Sequence, residues 1–218
     1  MDKSFNYIIS PELSEYKRFS PKLKIGILAS GKGTNFQELI NLSQKGEIDI
    51  EIKVLITNKE DAGCIKRAEN AEIPYKIIRA KDFSKKESFE VEIINTLINY
   101  DVELVVMAGW MKIVSPFFIN KFRNKIINIH PSLLPAYKGG SAIKDSILNG
   151  SKITGCSVHF VEEEVDSGSL IMQAALSIEE KDDLVSLSQK IQKLEHKILP
   201  HSITLAGFLI RNDFMESY

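Results

Sequence analysis

The sequence has little of what marks secreted, membrane-spanning or nucleic-acid-binding proteins. Its two cysteines, Cys64 and Cys156, are too few for a disulfide framework, and neither has metal-ligand spacing. No apolar run approaches the roughly 18 residues of a membrane span, and the N-terminus lacks the apolar core of a signal peptide. The net charge of −1 provides no broad basic surface for nucleic acid or an anionic membrane. These absences predict a cytoplasmic protein with reduced thiols.

The composition that remains is that of an ordinary globular protein, with 44% hydrophobic and 26% charged residues. A chain of 218 residues can form one substantial core and is too short for two comfortable domains. Residues 1–22 lack clear periodicity and are predicted to be an N-terminal extension, partly ordered by packing of Phe5, Tyr7 and Tyr16. Residues 23–218 are predicted to form a single domain.

From Lys24 onward, short apolar runs alternate with helical patterns. The first five apolar runs are 25–29, 50–56, 75–78, 104–108 and 126–130, and the helical patterns between them are 35–42, 64–71, 84–100 and 116–122. This alternation predicts an α/β fold: a mostly parallel twisted sheet with helices on both faces. Two further strands, 157–161 and 170–176, are predicted near one edge, followed by a long C-terminal helix over 184–212 with an apolar stripe.

The run 126–130 places an amide and an imidazole on one strand face. On a strand, Asn128 and His130 point to the same side with their Cα atoms roughly 7 Å apart. Pro131 and Pro135 end the strand, so the pair lies at its carboxyl end, where open α/β sheets bind ligands. An amide donor beside a histidine suits acyl-transfer chemistry, which develops an oxyanion. The alternative is a capped strand end with a hydrogen-bonded histidine.

Residues 30–35, SerGlyLysGlyThrAsn, form a loop between the first strand and helix, which we call the glycine loop. It is not a Walker A loop, because Gly33 occupies the Ser/Thr position, and it is not a dinucleotide fingerprint, because Phe36 replaces the third glycine. Its glycines still allow backbone approach to an anion, and Thr34 and Asn35 can donate at a helix N-terminus. We expect one phosphate monoester, or alternatively a tight turn with Asn35 as N-cap.

Residues 155–168 supply further polar groups. Ser157 and His159 share a strand face, and Asp166 follows in a loop. A carboxylate brought near His130 by folding would orient the imidazole or transfer protons. His130, His159 and Asp166 are typical metal ligands, but no short-range pair has the spacing of a metal motif, so no metal site is predicted.

Together these segments resemble the glycinamide ribonucleotide formyltransferases, folate-dependent enzymes of purine synthesis in the formyl-tetrahydrofolate formyltransferase family. The resemblance covers residues 24–201. Its specific parts are the glycine loop, MetAlaGlyTrpMetLysIleValSerPro at 107–116, AsnIleHisProSerLeuLeuPro at 128–135, SerValHisPheValGluGluGluValAspSerGly at 157–168 and GlnLysLeuGluHis at 192–196.

The resemblance implies a Rossmann-like formyltransferase fold with a phosphate-binding first half and a folate-binding second half. The residues implied to be catalytic are Asn128, His130 and Asp166. Those implied to bind the ribonucleotide are Gly33, Thr34, Asn35, Lys86 and Glu195, the last at the ribose hydroxyls. Those implied to bind folate are Met111, Lys112, Ile113, Val114 and Asn128. The implied co-substrate is formyl-tetrahydrofolate, with no metal and no nucleic-acid or membrane partner, in a monomer or weak homodimer.

Four positions depart from the family pattern: Ile143 in place of histidine, Lys86 and Lys112 in place of arginine, and Glu162 in place of threonine. We expect them to affect affinity, since lysine offers a point charge where arginine offers a fork. One alternative is a formyl-tetrahydrofolate hydrolase, although such enzymes carry an amino-terminal regulatory domain that 22 residues cannot supply. The other is a non-catalytic nucleotide-binding module, which predicts a degraded catalytic group.

Overall fold

The computed structural model describes residues 5–213, and its helices and strands alternate as predicted. The strands are β1 (Tyr7–Ser10), β2 (Leu23–Leu28), β3 (Ile50–Thr57), β4 (Tyr75–Ile77), β5 (Leu104–Met107), β6 (Ile126–His130), β7 (Ile153–Phe160) and β8 (Leu170–Ser177). The helices are α1 (Thr34–Gln44), α2 (Gly63–Asn70), α3 (Lys86–Asn99), α4 (Pro116–Lys121), α5 (Ala142–Leu148) and α6 (Leu184–Arg211).

These strands form one sheet in the order β1-β8-β7-β6-β5-β2-β3-β4. Strands β2 to β6 pair in parallel, whereas β7, β8 and β1 join through antiparallel ladders. The chain moves outward from β2 to β4 and then returns to the other side of β2 as β5. The strand order therefore reverses between β2 and β5, the position at which such sheets bind ligands. The predicted mostly parallel sheet is confirmed.

Apolar side chains cover both faces of the central strands, which is why those strands are almost continuously hydrophobic. In β5, Leu104 and Val106 enter a core cluster that includes residues of α1 and α6. Val105 and Met107 enter a second cluster that includes residues of α3 and α4. This alternation with a period of two residues buries each strand between two helix layers.

Helix α6 closes the fold. A capping box begins it, in which the Asp183 side chain accepts from the Ser186 backbone N–H at 2.7 Å and the Ser186 side chain bonds back to Asp183. Of its predicted apolar stripe, Leu187, Ile191, Leu194 and Ile198 are buried in the first core cluster, whereas Leu184 at the helix start is 48% exposed. The predicted long C-terminal helix is confirmed, ending at Arg211. Within residues 5–213, no helix is both long enough and apolar enough to cross a membrane.

Strand β1 is an element that the periodicity did not predict. Three of its four residues are exposed, so it lacks the apolar alternation of a half-buried strand. Backbone pairing with β8 holds it in place, with Tyr7 opposite Leu176. Phe5 and Tyr16 pack against the first core cluster, and the Lys197 ammonium lies 5.6 Å from the centre of the Tyr7 ring. The division into an extension at 1–22 and a domain at 23–218 stays a prediction, and its ends, 1–4 and 214–218, lie outside the described residues.

Candidate active site

Three predicted binding segments meet at the carboxyl edge of the parallel strands. The glycine loop follows β2, residues 111–115 follow β5, and His130 ends β6. Because β2, β5 and β6 are parallel neighbours, these segments emerge side by side. Ser30 joins the first two directly: its backbone N–H donates to the Gly109 carbonyl at 3.0 Å, and its Oγ accepts from the Met111 N–H at 3.0 Å.

Gly33 gives the glycine loop its shape. It is the N-cap of α1 and has a φ of +69°, in the left-handed region that glycine adopts without strain. A Cβ on Gly33 would lie 2.6 Å from the Cβ of Cys64, so the position also lacks room for a side chain. No side chain caps α1, and the N-cap is Gly33 instead of the alternative Asn35. The first-turn N–H groups of α1 therefore remain available for an anion.

Helix α2 holds the back of the glycine loop. The Cys64 N–H donates to the Gly31 carbonyl at 3.1 Å. Arg67 donates through Nε to the Lys32 carbonyl at 2.7 Å and through Nη1 to Gln37 at 2.9 Å. These bonds fix the loop carbonyls on the α2 side. No local pattern in the sequence singles out Arg67, because its partners lie 30 or more positions away.

Asn35 and Glu195 form a hydrogen bond although 160 positions separate them in the chain. Asn35 Nδ2 donates to Glu195 Oε2 at 2.9 Å, which connects the glycine loop to α6. The Asn35 side chain is buried, and its Oδ1 has no hydrogen-bond partner among the described residues. Burial raises the pKa of the Glu195 carboxyl above its usual 4.5, and the Asn35 amide opposes that shift. Two predicted substrate-binding residues are thus brought together.

Residues 111–115, which we call segment 111–115, present apolar side chains to solvent. Met111 is 69% exposed and Ile113 is 65% exposed, whereas Val114 packs partly against the second core cluster. Lys112 is also exposed. Met111, Lys112 and Ile113 therefore form an open surface beside the glycine loop.

Lys86 lies in the first turn of α3, with half of its side chain exposed. Its Nζ is 3.8 Å from Oε1 of Glu90, which bonds to Ser115 in segment 111–115. Within residues 5–213, no hydrogen bond or ion pair joins Lys86 to the glycine loop. Its assignment as a substrate-binding residue stays a prediction.

The three residues predicted to be catalytic lie together at the ends of β6 and β7. Asp166 Oδ2 is 3.4 Å from His130 Nδ1, and Asp166 Oδ1 accepts from Asn128 Nδ2 at 3.5 Å. The His130 and Asp166 side chains are 6% and 9% exposed. An amide, an imidazole and a carboxylate thus share one small volume.

His159 is a fourth member of this group, and we call Asn128, His130, His159 and Asp166 the strand-end cluster. Antiparallel pairing puts His159 opposite Asn128. Its Nδ1–H donates to the Phe160 carbonyl at 2.7 Å, and its Nε2 lies 3.2 Å from Asn128 Nδ2 and 3.6 Å from Asp166 Oδ1. The strand-face pattern singled out His159 in the sequence, but only the register of β6 and β7 shows what it contacts.

Several contacts keep the Asp166 carboxyl ionised. Burial alone would raise its pKa, but hydrogen bonding from His159, the Gly139 N–H at 2.8 Å and the charge of His130 outweigh burial. Together they lower the pKa from 3.8 to about 2. Asp166 itself has a φ of +51°, a left-handed conformation that aspartate tolerates better than most residues. The site therefore contains a fixed negative charge beside His130.

Both ring nitrogens of His130 face oxygen atoms. Its Nε2–H donates to the Tyr137 carbonyl at 2.8 Å, and its Nδ1 faces Asp166. The carboxylate orients the ring, and the Nε2–H is a donor that a ligand oxygen could accept in place of Tyr137. Among residues 5–213, no group of three or more histidine, cysteine, aspartate or glutamate side chains is arranged to hold a metal ion.

Comparison with known proteins identifies close similarities. The family model described as formyl transferase matches residues 23–203. The chain is 38% identical over 180 residues to phosphoribosylglycinamide formyltransferase of Bacillus subtilis, covering 83% of this chain and 92% of that protein. A crystal structure of glycinamide ribonucleotide transformylase 1 from Symbiobacterium toebii superposes with a TM-score of 0.84 at 35% identity, covering 91% of this chain and 92% of that one.

Much longer proteins match as well. The chain is 40% identical over 201 residues to the trifunctional purine biosynthetic protein adenosine-3 of Chironomus tentans, which covers 90% of this chain. The chain spans only 14% to 18% of the length of these trifunctional relatives. The similarity therefore concerns one part of those proteins.

Proposed function

The chain belongs to the formyl transferase family, and from that premise we propose that it transfers a formyl group from formyl-tetrahydrofolate to the primary amine of glycinamide ribonucleotide. The products are formylglycinamide ribonucleotide and tetrahydrofolate, in de novo purine biosynthesis. Relatives named for this activity support the proposal. The observation that carries it is the meeting of the glycine loop, segment 111–115 and the strand-end cluster at one edge of the sheet.

The ribonucleotide binds at the glycine loop. Its phosphate lies against Gly33, Thr34 and Asn35, where the N-terminus of α1 favours an anion. Glu195 accepts hydrogen bonds from the ribose hydroxyls, at a position that Asn35 fixes at 2.9 Å. This orientation directs the substrate amine away from the loop and toward β6.

The folate binds along segment 111–115. Met111 and Ile113 expose apolar surface that a flat heterocycle can cover, which favours binding by removing that surface from water. Lys112 and Val114 complete this surface, and Asn128 at the adjacent strand end contacts the reacting part of the cofactor. The formyl group then lies between the two substrates' binding segments.

The reaction exchanges one carbon–nitrogen bond for another. The amine nitrogen attacks the formyl carbon, and the carbonyl oxygen becomes an oxyanion that Asn128 Nδ2–H and His130 Nε2–H stabilise. In the structure the Tyr137 carbonyl accepts from that His130 Nε2, so the formyl oxygen takes its place. The carbon–nitrogen bond to folate then breaks, and one proton passes from the attacking amine to the folate nitrogen. Asp166 holds His130 in orientation and balances its charge during this transfer.

The strand-end cluster supplies each of these roles with a fixed dipole or a titratable group, so we propose a reaction that requires no metal. The proposed partners are the two substrates. The net charge of −1 fits a protein without a nucleic-acid or membrane partner, and we propose a cytoplasmic monomer or weak homodimer.

A transfer assay tests the proposal. Purified protein is given formyl-tetrahydrofolate, and tetrahydrofolate formation is followed with and without glycinamide ribonucleotide, before and after treatment with a chelator. We expect formation that depends on the amine and survives chelation. Equal formation without the ribonucleotide would identify a hydrolase, and ribonucleotide binding without turnover would identify a non-catalytic module. Turnover lost on chelation and restored by a metal would contradict the metal-free mechanism.

A further inference from the structure

Glu90 is a buried carboxylate that the proposed reaction does not use. It lies on α3 with 2% of its surface exposed. Its Oε1 accepts from the Ser115 N–H at 2.8 Å, its Oε2 accepts from the Ser115 hydroxyl, and the Lys86 ammonium lies 3.8 Å away. Burying a carboxylate is costly unless hydrogen bonds satisfy it, and here a single residue, Ser115, provides both of its close hydrogen bonds.

The start of α4 does not by itself require this arrangement. Ser115 is the N-cap of α4, and its Oγ accepts from the Phe118 N–H at 3.3 Å. A serine alone is sufficient for such a cap. The additional contacts from Glu90 fix the Ser115 backbone and the direction of its hydroxyl, so they determine where the chain immediately before α4 must lie.

That preceding chain is segment 111–115, which has few other constraints. The Met111 N–H is held by Ser30 at one end, and the Ser115 N–H is held by Glu90 at the other. Among the described residues, the intervening N–H groups of residues 112–114 have no hydrogen-bond acceptor. Met111 and Ile113 are mostly exposed, so the packing of the segment against the core comes from Val114, which is partly buried against the second core cluster.

We infer that Glu90 is a positioning residue for folate binding: it holds Ser115, and through Ser115 it holds segment 111–115 in the conformation that receives the co-substrate. This inference rests on the proposed function. It assigns Glu90 no contact with either substrate. Removing its charge should therefore weaken the folate side of the site and leave the glycine loop unaffected.

The single tryptophan of the chain, Trp110, is a direct reporter for this test because it immediately precedes segment 111–115. Quenching of its fluorescence by tetrahydrofolate gives a Kd without requiring turnover. In Glu90→Gln we expect the Kd for tetrahydrofolate and the KM for formyl-tetrahydrofolate to rise about tenfold, as for a lost hydrogen bond to a charged group. The KM for glycinamide ribonucleotide should change less than about twofold, because the contacts of Ser30 with Gly109 and Met111 remain and keep the glycine loop in place.

Glu103→Gln is the matched control. Glu103 is also a carboxylate that accepts a backbone N–H, from Lys24 at 3.0 Å, and it pairs with the cation Arg211, outside the site. We expect this variant to lose thermal stability with no change in the Kd or either KM. If Glu90 only stabilised the fold, Glu90→Gln would likewise lower the thermal stability and leave the Kd and both KM values unchanged.

Ser115→Ala provides a second variant, which also serves if Glu90→Gln does not fold. It removes the hydroxyl contact and keeps the N–H bond, so we expect a rise of about threefold in the Kd for tetrahydrofolate. In the double variant the two effects should be less than additive, because both act on one contact. A wild-type Kd in Glu90→Gln, or equal rises in both KM values, would overturn the inference. Failure of the unaltered protein to bind tetrahydrofolate would instead overturn the proposed function, and the inference with it.

Discussion

The glycine loop and the strand-end cluster lie at the same edge of the sheet but obtain their binding groups differently. The loop offers backbone N–H groups, shaped by the positive φ of Gly33 and held from behind by Arg67. The cluster offers side chains from β6, from β7 and from the loop that contains Asp166. At the proposed phosphate site the backbone itself supplies the binding groups, whereas at the proposed catalytic site the backbone only positions the side chains that supply them.

We therefore expect substitutions in the glycine loop to change substrate affinity and substitutions in the strand-end cluster to change turnover. A phosphate held by backbone groups should be insensitive to most side-chain changes nearby, except those that alter the loop's shape. The strand-end cluster should respond to single side-chain changes, because each side chain contributes a dipole or a charge that the backbone cannot replace. Four substitutions test this separation.

His130→Ala should have the largest effect. Loss of a group that acts mainly in the transition state should lower kcat by about 10³-fold and change the KM for either substrate by less than about threefold. The measurement is steady-state kinetics with each substrate varied in turn. His201→Ala is the control, because His201 lies on α6 against Tyr16, with 4.2 Å between ring centres, and should leave kcat unchanged. Wild-type turnover in His130→Ala would show that the catalytic assignment is wrong.

Asp166→Asn should lower kcat by about 10²-fold, because the shape remains and the charge that orients His130 is lost. It should also change the shape of the pH–rate profile, since one of two interacting groups no longer titrates. The pKa of Asp166 falls from 3.8 to about 2 on folding. Its carboxylate therefore stabilises the fold above about pH 4, and this contribution disappears as the pH falls toward 2.

Denaturant unfolding of wild type and Asp166→Asn should consequently show free energies that converge over that pH interval. Asp182→Asn is the matched control. The Asp182 side chain is 2% exposed, and hydrogen bonds from the Lys190 ammonium, the Glu179 backbone N–H and the Ser186 hydroxyl outweigh its burial and lower its pKa, but it lies outside the strand-end cluster. The free energies of unfolding of wild type and Asp182→Asn should therefore converge over the same pH interval, while the turnover of Asp182→Asn stays normal. An Asp166→Asn profile unchanged in height and shape would make Asp166 only a turn residue.

Gly33→Ala tests the loop. The added Cβ would meet Cys64 at 2.6 Å, so the loop must shift, and we expect the KM for the ribonucleotide to rise about 30-fold with little change for folate. Gly46→Ala controls for backbone strain, since Gly46 also has a φ of +69° but has open space around it. It should lose stability and keep both KM values. If Gly33→Ala raised the two KM values equally, the loop would be misfolded instead of blocked.

Glu195→Gln should have the smallest effect and should separate affinity from stability. We expect the KM for the ribonucleotide to rise about tenfold, because the carboxylate that we propose to accept the ribose hydroxyls becomes a neutral amide. Burial raises the pKa of Glu195, so its ionised form costs stability once the pH exceeds that pKa. Removing the charge should leave the Tm unchanged or about 2 °C higher at neutral pH. An unchanged KM would indicate a glutamate with no substrate contact.

The fold could be predicted where buried positions produce a regular apolar pattern in the sequence. Strands β2, β3, β5 and β6 each place apolar residues in both core clusters. The strand period alone placed Asn128 and His130 on one side. Strand β1 could not be predicted, because it is exposed and held by backbone pairing. Helix α6 could be predicted because a helix that is buried along one side carries an apolar stripe in its sequence.

The site was predictable only in part, because its contacts join distant segments. Family resemblance assigned Glu195 a role, but its bond to Asn35 depends on how α6 packs against α1. The contact between His159 and Asn128 depends on the register of two antiparallel strands. Glu90 and Arg67 occupy ordinary positions in helical sequence patterns, and only the tertiary structure shows that they contact Ser115 and Lys32.

The two edge strands also affect how the protein behaves when concentrated. An exposed strand edge can pair with the same edge of another molecule and begin aggregation. One edge of this sheet is β4, only three residues long and preceded by Pro74. The other is β1, four residues long and followed by Pro11, and it covers residues 173–176 of the longer β8. Short strands next to prolines make poor templates, so β1 protects an otherwise open ladder from sheet-to-sheet association.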